Sequence, residues 1–140
     1  MGTWHTLDHT ADLAIEAWGG TPERALEALC EGLLHQITDP ARVGEREGVG
    51  LAVEGFDPAE ALVGFLNELL YRVNVRGWMP ARVEVTSARG SVFRGAARGE
   101  PRDPARHAFD LEVKAATYHD LLWGPDPKTG EWRVRVVFDV

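Results

Sequence analysis

Two stretches of the chain repeat apolar residues at helical spacing, and each opens with residues that start helices. Thr21 and Pro22 supply an N-cap and a proline at the first helical position of one stretch. Asp57 supplies the N-cap of the other, which carries a broader apolar face. The pattern predicts helices over 22–37 and 58–74, and the broader face predicts that the second helix is the more buried.

Elsewhere apolar and polar residues alternate, which is typical of half-buried strands. The alternation predicts strands at 13–18, 47–54, 81–88, 91–99 and 132–140. A further strand is predicted from Phe109 and is expected to continue as far as Leu122. Residues 1–6 are predicted to be a short lead-in, and Arg89 and Gly90 a hairpin turn.

The order of these elements predicts the fold class. A βαβα arrangement is followed by several strands joined by short turns, which favours antiparallel pairing. We therefore expect a single α+β domain over residues 1–140, with two helices packed with a largely antiparallel β-sheet system.

Composition and charge narrow the class of protein. The formal net charge of −7 argues against binding nucleic acid strongly through the whole surface. Residues 1–70 hold 3 basic and 13 acidic residues, whereas residues 71–140 hold 12 and 9. The one cysteine, Cys30, lies in an apolar helical pattern and is expected in the core. No signal peptide or membrane-spanning run is present, so a cytoplasmic location is expected.

The densest group of chemically active side chains is Asp8-His9-Thr10-Ala11-Asp12, just before the first predicted strand. Buried carboxylates are costly unless they are paired or bound to metal, so this stretch is a candidate site. His9 is open to three interpretations: a metal ligand, a general base or a capped loop histidine.

The last residues of the chain offer more carboxylates. Asp139 and the α-carboxylate of Val140 would lie close together at the end of the final strand. If the strand that begins at Asp12 lies beside the last strand, the carboxylate of Asp12 meets the other two. Such oxygen ligands suit Ca²⁺, Mg²⁺ or Mn²⁺. The alternative is that Asp139 is a solvated terminal carboxylate.

Other polar residues are weaker candidates. Tyr118 and His119 belong to a second polar cluster and would point to opposite faces of a strand. Glu68 lies in an otherwise apolar helix, where it faces solvent or is a buried acid aimed at the site, and Asn67 beside it is a hydrogen-bonding candidate. Phosphate-binding loops, dinucleotide fingerprints and zinc-ligand spacings are absent from the sequence.

Several segments, taken in order and with their spacing, resemble the archease family. The matching segments are Asp8-His9-Thr10-Ala11-Asp12, Thr21-Pro22-Glu23-Arg24-Ala25, Thr38-Asp39, Phe65-Leu66-Asn67-Glu68-Leu69-Leu70-Tyr71, Glu112-Val113-Lys114-Ala115-Ala116-Thr117-Tyr118-His119 and Val136-Val137-Phe138-Asp139-Val140. Each is weak alone, but together they are specific and span nearly the whole chain.

The resemblance implies a small cytoplasmic protein that is not itself an enzyme. Archeases activate the tRNA-splicing RNA ligase, a GTP-dependent enzyme, by promoting guanylylation of its active-site histidine and so permitting multiple turnover. The resemblance also implies a divalent metal, with calcium the first expectation and magnesium or manganese the alternatives. It assigns Asp12, Asp139 and Val140 as ligands. Further candidate contributors to function are Asp8, His9, Glu68, Lys114 and His119.

Two other functions remain open at this point. One is a metal-dependent hydrolase or nuclease that uses Asp12, Asp139 and His9 by itself. The other is a chaperone-like module that binds RNA-modifying enzymes. Neither a membrane nor a small-molecule substrate is expected as a partner.

Overall fold

The computed structural model describes residues 2–7 and 12–140. In chain order, the elements of these residues are β1 (Thr3–Leu7), β2 (Asp12–Gly19), α1 (Pro22–Ile37), a 3-10 turn (Pro40–Arg42), β3 (Glu47–Glu54), α2 (Pro58–Asn74), β4 (Trp78–Arg89), β5 (Val92–Pro101), β6 (Ala115–Ala116), β7 (Leu122–Pro125) and β8 (Trp132–Asp139).

The strands form two antiparallel sheets. The larger has the order β1-β2-β8-β6, with β7 also paired to β8, and the smaller has the order β3-β5-β4. Both helices contact strands of both sheets, so the main core lies where helices and sheets meet. The predicted α+β class is confirmed.

The two helices occupy the predicted residues, but the expectation about their burial is wrong. Ten of the 16 residues of α1 are buried, against eight of the 17 residues of α2. Small residues such as Ala25, Ala28 and Gly32 let α1 approach its neighbours closely. Cys30 is fully buried as expected, and burial raises the pKa of its thiol to about 12.

Two strand predictions need correction. Residues 3–7 are not a lead-in, because β1 pairs with β2 along its whole length. The strand predicted from Phe109 to Leu122 is wrong, since only Ala115 and Ala116 of that stretch form a ladder before β7 begins. The alternation there comes from Leu111 and Val113, which pack against the core although residues 109–114 do not form a strand.

The hairpin turn between β4 and β5 is confirmed. Gly90 has a φ angle of 61°, a left-handed conformation that glycine adopts without strain. Within residues 2–7 and 12–140, no helix is long and apolar enough to cross a membrane.

Candidate metal centre

Asp12 and Asp139 face each other across the β2–β8 ladder. The two strands pair antiparallel without a register shift, which sets Asp12 directly opposite Asp139. Residues directly opposite in such a ladder share a face of the sheet and have Cα atoms about 4.5–5.5 Å apart. The condition set by the sequence, that the first long strand lies beside the last, is therefore met.

A third strand supports the same end of β8. Ala115 of β6 pairs with Asp139 on the side away from Asp12. The Lys114 amide donates a hydrogen bond of 2.8 Å to the Asp139 carbonyl oxygen. The backbone of Asp139 is thus held from both sides, while its side chain is exposed. Val140 follows β8 and is 39% exposed.

The chemistry of the pair fits a hard cation. Like charges directly opposite each other destabilise a ladder, and a divalent cation between two carboxylates would offset that repulsion. The described part of the chain contains no group of three or more His, Cys, Asp or Glu side chains arranged to hold a metal. Beyond the Asp pair, Val140 offers a backbone oxygen, whereas Asp8 and His9 lie outside the described residues.

The other described candidates make contacts of their own. Lys114 is adjacent through its backbone, and its side chain is exposed. His119 lies in a turn rather than in a strand, and its Nε2 is 3.4 Å from Asp120 Oδ2. Glu68 is half exposed and pairs with Arg72 one helical turn away at 3.5 Å. Its metal-directed role stays a prediction.

A buried acid that the sequence did not single out lies on the same face of the larger sheet. Glu16 is only 5% exposed, and Arg133 donates to both of its carboxylate oxygens at 3.2 Å. Arg135, directly opposite Glu16, donates to it at 3.2 Å as well. Glu16 follows Asp12 by four residues in one strand, and this even spacing places both side chains on one face of the sheet. That spacing is the sequence signal that could have revealed Glu16. Engaged by two guanidinium groups about 13 Å from Asp12, Glu16 is a structural charge rather than a metal ligand.

Glu100 is a second buried acid, near the end of β5. It accepts hydrogen bonds from the Gly44 amide at 2.7 Å and from His107 Nε2 at 2.8 Å. The Gly44 amide, His107 and Arg106 lower the pKa of Glu100 to about 2. The Asp103 amide donates to His107 Nδ1, so Nε2 carries the proton and the ring is neutral in this arrangement. The cluster anchors the segment that follows β5.

A groove of about 950 Å³ lies between α1 and β4 and shares no lining residue with the Asp pair. Charged and apolar side chains both line it, among them Arg24, Glu31 and Leu34. The carboxylate pair is therefore a surface site on one face of a sheet and not part of this groove.

Comparison with known proteins identifies the family. The model of the archease protein family matches residues 4–140. A protein archease of Methanopyrus kandleri is 38% identical over 140 residues, covering 98% of this chain and 99% of the relative. A protein archease of Pyrococcus furiosus is 35% identical, with both chains fully covered. The solution structure of protein 1598 of Methanobacterium thermoautotrophicum superposes with a TM-score of 0.76 over 98% of each chain at 24% identity, which supports the fold. This chain belongs to the archease protein family.

Proposed function

We propose that this chain is a non-catalytic activator of the GTP-dependent tRNA-splicing RNA ligase. It promotes guanylylation of the ligase and so permits repeated turnover in tRNA splicing and RNA repair. The supporting observation is the family match, which runs over residues 4–140 and so includes both halves of the acid pair. The same match is the reason to prefer a protein partner over a small-molecule substrate.

The acid pair is the part of the molecule that we propose acts on the ligase. Asp12 and Asp139 would hold a divalent cation, calcium in the first instance, with Val140 as a third oxygen donor. When bound, the cation would offset negative charge on a phosphoryl group during transfer. The ladder between β2 and β8 fixes the backbones of the two residues opposite each other, so both side chains leave the same face of the sheet.

The charge of the chain suits this role. Thirteen acidic and three basic residues lie in the first half. A ligase cleft that binds RNA and GTP must be basic, so an acidic activator would be attracted to it. Opposite charge would raise the association rate, and the rate would fall as salt is added.

The test uses purified ligase, GTP and metal, with and without this chain. We expect covalent guanylylation and repeated ligation to increase with the wild-type chain and to fall sharply with Asp12→Asn or Asp139→Asn. Asp110→Asn removes one exposed carboxylate elsewhere and serves as the charge-matched control. Full stimulation of the ligase by both site variants would show that activation does not need a metal at Asp12 and Asp139.

The same experiment separates the other two functions. A hydrolase or nuclease would turn over a phosphodiester without ligase, in a metal-dependent way that Asp139→Asn abolishes. A chaperone-like module would bind the ligase yet leave guanylylation unchanged. Either outcome would replace the activator proposal.

A further inference from the structure

The two asparagines of the chain lie on one face of α2. Asn67 and Asn74 are seven residues apart, which is almost two full helical turns. Side chains at this spacing point in nearly the same direction and lie about 10.5 Å apart along the helix axis. Both therefore face the segment of chain that runs past this side of the helix.

Each asparagine binds the backbone of that segment, with opposite roles. Asn67 Oδ1 accepts a hydrogen bond of 2.8 Å from the Ala116 amide. Asn74 Nδ2 donates a hydrogen bond of 2.9 Å to the Val113 carbonyl oxygen. Three residues of extended chain span about 10 Å, which matches the helical spacing of the two amides. The segment thus runs antiparallel to α2.

We call residues 113–116 the terminal strap, because its other side binds the end of β8. The Lys114 amide donates to the Asp139 carbonyl oxygen at 2.8 Å. Ala115 pairs with Asp139, and Ala116 with Phe138. The terminal strap therefore connects α2 to the residue that carries one half of the acid pair.

The ladder of the terminal strap is short, so these side-chain contacts matter. Its strand, β6, has only two residues, whereas β2 pairs with β8 over eight. Two-residue pairing gives little stability by itself. The Ala116 amide and the Val113 carbonyl would lack protein partners without the asparagines, and unmade backbone hydrogen bonds are costly where water is excluded. Val113 is 1% exposed and Ala116 is 5% exposed.

We propose that Asn67 and Asn74 are positioning residues for the candidate metal centre. They hold the terminal strap against β8 and thereby fix Asp139 opposite Asp12. The proposal rests on the metal-binding part of the proposed function. Neither asparagine is a ligand, and both act through the backbone of the terminal strap.

The opposite roles of the two amides give a sharp test. Asn67→Asp keeps an oxygen that can accept from the Ala116 amide. Asn74→Asp loses the donor and sets a carboxylate against the Val113 carbonyl oxygen. The same substitution should therefore be tolerated at one position and damaging at the other, whereas Asn67→Ala and Asn74→Ala should both be damaging.

The first measurement is calcium titration of the full chain by calorimetry. Partners that orient metal ligands typically change affinity by about 10–100-fold, and we expect the Kd for calcium to rise about 10-fold in Asn74→Asp and in both alanine variants. Asn67→Asp should bind calcium as the wild type does. Gln36→Ala, an amide substitution on α1, is the matched control.

The second measurement is hydrogen exchange of the Ala116 and Lys114 amides without metal. We expect faster exchange at Ala116 in Asn67→Ala and wild-type protection in Asn67→Asp. Exchange at Lys114 should quicken in Asn74→Asp. Melting temperatures of all variants show whether a change in Kd follows general destabilisation.

Several results would overturn the proposal. Equal behaviour of Asn67→Asp and Asn67→Ala would do so, as would an unchanged calcium Kd in Asn74→Asp. A wild-type chain that binds neither calcium, magnesium nor manganese would remove the centre and this proposal with it. If the expected affinity pattern appears but the ligase is not stimulated, the activator function fails while the positioning role stands.

Discussion

The two helices cover a free edge of different sheets with different chemistry. Helix α1 lies along the edge strand β4, where Glu27 accepts from the Val85 amide at 2.7 Å and Glu23 from the Ala88 amide at 2.9 Å. Arg24 donates to the Val85 carbonyl oxygen at 2.9 Å. Helix α2 covers the edge strand β6 with neutral amides only.

This difference follows from the charges and the backbone groups that lie at each edge. Carboxylates are the stronger acceptors for amides at an unpaired strand edge, and they suit the β4 edge because Arg24 and Arg89 lie nearby. At the β6 edge an amide and a carbonyl oxygen both need partners, and a carboxylate could satisfy only the amide. An asparagine can donate or accept without charge, so it satisfies both kinds of backbone group there. The glutamates make the stability of the β4 edge depend on pH, whereas the asparagines leave the stability of the β6 edge independent of pH.

The largest loss of stability is expected from replacing a glutamate that binds the β4 edge. Glu23→Ala leaves the buried Ala88 amide without its acceptor and Arg89 without its partner. We expect the free energy of unfolding, measured by urea titration, to fall by about 2 kcal/mol. Glu31→Ala, an exposed acid on the same helix, should change it little. A similar loss in both variants would mean that helix charge, and not the edge contact, is responsible.

The next effect is the pH dependence of the same edge. The Arg89 side chain and the Ala88 amide lower the pKa of Glu23 from 4.5 to about 2. A lowered carboxyl pKa contributes stability that is present above pH 4.5 and is lost as the pH falls towards 2. Urea titrations across this window should show a smaller loss in Glu23→Gln than in wild type. Glu100 titrates in the same window and should leave a residual slope.

The β6 edge, which α2 binds through neutral amides, should show a smaller loss of stability that does not depend on pH. Asn67→Ala removes one neutral hydrogen bond, and we expect a loss of about 1 kcal/mol in unfolding free energy. The loss should be the same at pH 7 and pH 4, because no charge is involved. A loss that varies with pH would show that the two edges do not differ as described.

The smallest effect is expected at the exposed end of the charged edge. The side chain of Arg24 is 43% exposed and is shared between Val85 and Glu27. Arg24→Met should lower the unfolding free energy by about 0.5 kcal/mol, and the loss should shrink in high salt. Arg94→Met, on the exposed face of β5, is the control. An effect as large as that of Glu23→Ala would reverse the ranking.

The helices could be predicted to the residue because their ends are determined locally. Thr21 accepts from the Arg24 amide at 3.1 Å, and Asp57 accepts from the Glu60 amide at 2.8 Å. Each N-cap lies three residues from its partner, so the sequence alone contains the whole interaction. Proline at the first helical position of both helices strengthened the prediction.

The strands that were missed depend on distant partners. Trp4 and Thr6 alternate with Thr3 and His5 in β1, but none of these makes an apolar run that would suggest a strand. The terminal strap shows the opposite error, since a long strand was predicted there although one side of the segment binds helix α2. Alternation indicates that one side of an extended chain is buried, and it does not reveal whether the adjacent element is a strand or a helix.

The candidate site was half predictable for the same reason. The residue types of Asp12 and Asp139 made them candidate metal ligands, but their facing register joins residues 127 positions apart and is set by the sheet. Asn67 was recognised only as a hydrogen-bonding residue, and Asn74 was not singled out. Their shared role depends on where the terminal strap passes, which no local pattern contains.

Cys30 allows the opening of the core around α1 to be measured by thiol labelling. Its thiol is the only one in the chain, has no exposed surface and has a pKa of about 12, so a thiol-reactive dye meets it only when α1 leaves the core. Labelling of the native protein therefore measures how often the core opens. A cysteine introduced on the surface, for instance by Tyr118→Cys, would react far faster and could carry a probe without removing the native thiol.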